Sequence, residues 1–132
     1  MSARVLVVHD SEVQRDLLAV LLEHAGFQVA AAGHGGEALE RLLDHPADLV
    51  ITDLDMPVVD GWELARRLRA LAGCGGIPVI ILGRQEETGA SAAPDPSTFF
   101  LPMPADPRVL VQHARRALAP RGGRGPIREE SP

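Results

Sequence analysis

Asp48-Leu49-Val50-Ile51-Thr52-Asp53-Leu54-Asp55-Met56-Pro57-Val58-Val59-Asp60-Gly61 is the stretch around which the chain is organised. Leu49 to Ile51 is an apolar, largely β-branched run. It is too short for a helix and suits a strand covered on both faces. Asp53 falls where that strand should end, and Pro57 and Asp60-Gly61 then force a turn. In open parallel sheets, sites are built in the crevice beyond the carboxyl ends of the strands. A carboxylate held there has a fixed direction and partial access to solvent.

Strand and helix signals alternate on both sides of this stretch. Val5 to Val8 reads as a first buried strand. A helix capped by Ser11 or Asp10 runs to about Ala25, with Leu17, Leu18, Leu21 and Leu22 facing inward and Gly26 as its C-terminal cap. Phe27 to Ala32 reads as a second strand. It is followed by a helix from about Gly36 to Asp44 with Ala38, Leu39, Leu42 and Leu43 inward. Trp62 to Ala72 follows the central strand as a helix with Leu64, Leu68 and Leu71 at helical spacing. Pro78 to Leu82 is a fourth strand, its proline at the start, where a missing N–H is tolerated. Between Gln85 and Ser97 the residues Gly89, Pro94 and Pro96 leave room for at most two helical turns, and this segment is expected to be the least ordered of the domain. Ser97 to Leu101 reads as a fifth strand. Asp106 and Pro107 open a last amphipathic helix with Val109, Leu110, Ala114, Ala117 and Leu118 inward.

Five short strands alternating with helices imply an α/β fold, a flavodoxin-like parallel sheet in the order 2-1-3-4-5 with helices on both faces and a short or irregular fourth helix. The domain is expected over residues 1–118. Gly, Pro and charge dominate 119–132, which reads as a disordered tail or linker. A chain of 132 residues can bury a proper core in one domain. Its 13 basic and 18 acidic residues give a net charge of −5, which argues against a direct nucleic-acid surface. The apolar run Val5–Val8 is too short for a signal peptide or a membrane span. The single Cys74 fits a reducing cytoplasm and reads as a bystander in a glycine-rich loop.

With that strand order, His9-Asp10 and Asp53 meet in space. Two close carboxylates repel, so Asp10, Asp53 and the backbone at Asp55 favour a hard divalent cation such as Mg²⁺. A cation there would also neutralise an incoming phosphoryl group, with Asp53 as nucleophile. An aspartate at a strand end is also often only a cap for the next turn.

The residues that carry these signals resemble the receiver domains of two-component response regulators. Val5-Leu6-Val7-Val8-His9-Asp10 is similar to that family's first strand and acidic pair. Asp48 to Pro57 with Asp60-Gly61 is similar to its phosphoacceptor strand and loop. Pro78-Val79-Ile80-Ile81-Leu82 resembles its fourth strand, and Phe100-Leu101-Pro102-Met103-Pro104 its fifth strand and following proline. The resemblance covers residues 4 to about 118. It implies a signalling module rather than an enzyme, in which Asp53 accepts a phosphoryl group from a histidine kinase or phosphotransfer protein and acts on a downstream protein partner. It also implies that Asp10, Asp53 and the main-chain carbonyl of Asp55 hold Mg²⁺.

Three family positions are altered. His9 replaces the acid that acts on the metal through water. Gly83 stands where a hydroxyl residue is expected, and Met103 where a lysine is expected. Losing one such contact costs about a hundredfold in rate, so phosphorylation and switching are expected to be weakened. The alternative is a receiver-like interaction module that works without phosphorylation. Arg84 offers a substitute cation beside residue 83, or is simply solvated. His9 either ligates the metal and moves selectivity towards softer ions, or is a neutral, hydrogen-bonded histidine. Trp62 reads as a packing anchor, and Phe99 and Phe100 as core, one of them in the place of the family's rotating aromatic. Asp53-Leu54-Asp55 also has the Asp-x-Asp form of haloacid-dehalogenase-like phosphatases, but it follows the third strand rather than the first, and Pro57 follows it.

Overall fold

The computed structural model describes residues 2–71, 73–84 and 95–119. Among them are five strands and four helices. These are β1 (Arg4–Val8), α1 (Glu12–His24), β2 (Gln28–Ala32), α2 (Gly35–Asp44), β3 (Leu49–Asp53), α3 (Gly61–Ala70), β4 (Val79–Arg84), β5 (Thr98–Met103) and α4 (Pro107–Leu118). The sheet is wholly parallel, in the order β2-β1-β3-β4-β5. The helix expected within 85–97 falls mainly on 85–94, and the tail expected over 119–132 on 120–132, both outside the described residues.

The central strands explain the layering. Val50 and Ile81 point to one face with Leu6 and Val8, where α2 and α3 bring Ala38, Leu42, Leu64, Ala65 and Leu68. Leu49, Ile51, Ile80 and Leu82 point to the other with Val5 and Val7, where α1 and α4 bring Leu18, Leu22, Leu110, Ala114 and Ala117. Successive residues thus serve opposite cores, so these strands read as continuous apolar runs. Pro102 lies in β5, an edge strand, where a missing donor is tolerated.

Local chemistry sets the helix ends. Ser11 accepts the Gln14 N–H, Asp60 the Glu63 N–H, and Asp106 the Arg108 N–H, each satisfying an orphan donor of the first turn. His34 does the same for α2 through its ring, accepting from the Glu37 N–H. Gly26 ends α1 at φ +102°, a left-handed turn in which its N–H donates to the Glu23 carbonyl.

Three side chains depart from the sequence reading. Leu17 and Leu43 face solvent, at 59% and 60% exposure. Each lies beside, not on, the narrow stripe that a single helix layer presents to the sheet. Cys74 is buried at 1%, because the turn after α3 folds back until its sulfur lies 4.0 Å from the Leu42 carbonyl oxygen. Trp62 is the expected packing anchor. It is buried and stacks on Phe100 with ring centroids 5.9 Å apart.

Gly61 fixes how closely α3 approaches the end of β3. Its N–H donates to the Leu54 carbonyl at 2.9 Å. A Cβ there would lie 3.0 Å from the Asp53 carbonyl oxygen and 3.1 Å from the Leu54 Cα. Backbone cannot rotate aside as a side chain can. Gly61→Ala is therefore expected to destabilise the fold by roughly 1–3 kcal/mol, the usual cost of overpacking. Urea unfolding checks this; a variant as stable as the native chain would mean that α3 shifts freely.

Candidate functional site

The parallel register places the carboxyl ends of β1 and β3 side by side, with Val8 opposite Thr52. The residues that follow β1, His9 and Asp10, thereby reach Asp53, the last residue of β3. One ligand atom from each of His9, Asp10 and Asp53 lies within 4.8 Å of the others. A cavity of about 180 Å³ opens here, and its lining includes His9, Asp53, Asp55, Gly83, Arg84 and Met103. A larger cavity, about 420 Å³, lies by Arg4, Gln28 and His45, at the other end of β1.

Asp53 is held by backbone on both sides. The next residue, Leu54, donates its N–H to the Leu82 carbonyl at 2.8 Å and accepts from Gly61. Buried Thr52 donates its hydroxyl to the Asp53 carbonyl at 2.9 Å. The Asp53 side chain keeps 22% exposure and that of Asp10 47%. The loop beyond is strained. The Val59 N–H donates to the Pro57 carbonyl, a γ-turn centred on Val58 at φ 70°. A β-branched residue in the left-handed region costs about 1–3 kcal/mol, and Val58 is 99% exposed, so no burial offsets it.

His9 is oriented by its neighbours. Its carbonyl accepts from Arg15 Nη1 at 2.9 Å, and its ring Nδ1 accepts the Ser11 N–H at 3.1 Å. Nδ1 also lies 3.5 Å from Asp10 Oδ1, and Nε2 lies 3.9 Å from Asp53 Oδ2. With Nδ1 accepting, the ring proton of the neutral tautomer rests on Nε2 and faces Asp53. The second ring nitrogen, Nε2, looks into the site.

Burial pushes the Asp53 carboxyl above its ordinary range. His9 opposes that push, while the Asp55 and Asp10 charges add to it. Two carboxylates and an imidazole around partly dehydrated negative charge are a donor set that fits a divalent cation. A carboxyl whose pKa is higher folded than unfolded penalises the folded state once it ionises. The penalty grows as pH rises from the unfolded value through the raised one. Asp53→Asn is therefore expected to raise the Tm of the metal-free protein at neutral pH, with the gain vanishing in acid. Thermal unfolding across pH in a chelator checks this; a gain that persists unchanged in acid would point to a cause other than charge.

The sequence reading missed Arg15, Gln14 and Leu18 as surroundings of the site. They lie on α1, and only its packing against the β1 end brings them there. Arg84 is exposed at the cavity rim, opposite Met103 in the β4–β5 register. Gly83 and Met103 both line the cavity and bring to it neither a hydroxyl nor an ammonium group.

The sequence profile of the response regulator receiver domain matches residues 5–115. A gliding motility regulatory protein of Myxococcus xanthus is 42% identical over 79 residues, which is 60% of this chain and 10% of that protein. The DNA-binding response regulator MtrA of Mycolicibacterium smegmatis is 31% identical over 123 residues, covering 89% of this chain and 51% of that protein. The chain thus spans a tenth of the first relative and about half of the second. Among solved structures, the chemotaxis response regulator CheY4 of Vibrio cholerae matches with a TM-score of 0.81 and 29% identity, over 89% of this chain and 100% of that one.

Proposed function

The chain belongs to the response regulator receiver domains, the receiving modules of two-component signalling, and on that premise we propose that it accepts a phosphoryl group on Asp53. One observation carries the proposal. Asp53 closes β3 half-buried in a cavity, with ligand atoms of Asp10 and His9 within 4.8 Å. An Asp53 oxygen attacks the phosphorus of a phosphohistidine on a kinase or phosphotransfer protein. The P–O bond forms as the P–N bond breaks, and the imidazole leaves. Asp10 and Asp53, with the main-chain carbonyl of Asp55, would hold Mg²⁺. Bound there, the cation supplies charge neutralisation for the phosphoryl oxygens. The loop around the strained Val58 and the rest of the site rim are where a protein partner would read the phosphorylated state.

A second reading has its own support. Gly83 and Met103 offer the phosphoryl group neither a hydrogen-bond donor nor a cation. A receiver-like module that binds its partner without phosphorylation would need neither. A net charge of −5 weighs against direct nucleic-acid binding by this domain. No helix among the described residues is long and apolar enough to cross a membrane.

Intact mass after exposure to a small phosphodonor with Mg²⁺ separates the readings. The native chain is expected to gain the mass of one phosphoryl group, without sustained release of phosphate, and Asp53→Asn to gain none. Gain in the variant would place the acceptor elsewhere. No gain in the native chain would favour the phosphorylation-independent module.

A further inference from the structure

We propose that His9 is a direct metal ligand and that the site therefore discriminates in favour of borderline first-row ions, of the Co²⁺ and Zn²⁺ class, relative to an all-carboxylate site that suits Mg²⁺. The proposal rests on the reading of Asp10 and Asp53 as a cation site and adds a third donor of different chemistry. Imidazole nitrogen suits Co²⁺, Ni²⁺ and Zn²⁺, whereas Mg²⁺ takes oxygen ligands in a near-ideal octahedron.

The geometry assigns the donor atom. Nε2 of His9 lies 3.9 Å from Asp53 Oδ2, and the three residues offer ligand atoms within 4.8 Å of one another. Two ligands each about 2.1 Å from one ion lie roughly 3–3.5 Å apart, so a side-chain adjustment of less than an ångström brings Nε2 and the carboxylate onto a shared ion. The His9 side chain is 17% exposed and its main-chain carbonyl is tied to α1 through Arg15, so the backbone that carries the ring is already placed. When Nε2 ligates, the ring proton moves to Nδ1, on the side of the ring away from the ion. The exchange gives up the Ser11 N–H bond to Nδ1, at the half-buried N-cap of α1.

Divalent ions on nitrogen and oxygen donors follow a general affinity order whatever the site, so tighter Co²⁺ binding alone decides nothing. The decisive quantity is the Co²⁺-to-Mg²⁺ affinity ratio in the native chain against His9→Asp and His9→Asn, read by calorimetric titration. Each variant is expected to lower the ratio by at least about tenfold, since disturbing even an outer-shell partner of a metal ligand costs about that much. His9→Asp should also tighten Mg²⁺. In the native chain, Co²⁺ should shift the His9 ring proton resonances strongly, and Asp10→Ala should weaken both ions. Circular dichroism of each variant, with its native-like spectrum, separates lost ligation from lost folding. A ratio unchanged in both His9 variants, while Asp10→Ala still abolishes binding, overturns the role of His9 and leaves the carboxylate site standing. If neither ion binds the native chain, both readings fall.

Discussion

A chain carrying Gly83→Thr together with Met103→Lys is expected to take a phosphoryl group onto Asp53 at least about a hundredfold faster than the native chain. That is the typical worth of one preorganised donor aimed at charge developing in a transition state. Both positions line the cavity that contains Asp53, and they sit on the paired strands β4 and β5, one register step apart. A threonine hydroxyl and a lysine ammonium would supply the two donors that glycine and a thioether lack. The same variant should switch further. A ligand shifts a conformational equilibrium only by the difference in its contacts with the two states. In the native chain the contacts left to a phosphoryl group would be backbone N–H groups, the His9 ring and the proposed cation beside Asp53, close by in either state. Phosphodonor-induced NMR shifts in β5 and α4 should therefore grow in the double variant. Native shifts already as large would mean that another group, with Arg84 at the rim the first to test, carries the coupling.

Arg69→Ala is expected to lower the unfolding free energy by roughly 2–3 kcal/mol, as for lost charge-assisted hydrogen bonds to half-buried Asp95 and buried Thr98. Arg69, in the last turn of α3, donates from Nε to Asp95 Oδ2 at 2.8 Å, from Nη2 to the Thr98 hydroxyl at 3.1 Å, and from Nη1 to the Ile77 carbonyl. Asp95 also accepts the Ser97 N–H at 2.8 Å and the Thr98 hydroxyl at 3.0 Å. One guanidinium thus ties α3 to the approach to β4 and to the start of β5. Burial pushes the Asp95 carboxyl up, but Arg69, the Ser97 N–H and Thr98 together hold it below its ordinary value. A carboxyl depressed in the folded state contributes stability above its unfolded pKa and loses it as pH falls through the folded one. The gap between native and variant should therefore narrow in acid. Urea denaturation at neutral and acid pH tests both statements; a gap that stays constant would show that Arg69 acts through packing alone.

The strands were legible because a doubly covered parallel sheet needs apolar runs on both faces, and few other structures ask for Val79-Ile80-Ile81-Leu82. The meeting of Asp10 with Asp53 followed from strand order, with no need for side-chain detail. What sequence did not reveal has local physical causes. Leu17-Leu18 and Leu42-Leu43 are adjacent pairs about a quarter turn apart on a helix, and one packed layer buries only one member of each. Cys74 among three glycines reads as an open loop, yet tertiary packing folds that turn inward. Arg69 and Asp95, 26 positions apart, share no periodicity. The orientation of His9 depends on a single backbone N–H of Ser11, which no side-chain pattern records.

The placement of β1 between β2 and β3 also has a consequence for how the chain emerges from a ribosome. β2, the partner of one edge of β1, follows closely in sequence, but the other edge waits for β3, and the Arg4 N–H meets its Asp48 carboxylate partner across 44 positions of sequence. Until that stretch leaves the exit tunnel, Val5 to Val8 have an open hydrogen-bonding edge, and pairings so distant in sequence form slowly. Nascent chains arrested before residue 49 should bind a holdase chaperone and resist compaction. Chains arrested well past Asp53 should release it, since the aspartate that completes the site closes the same strand that seals β1.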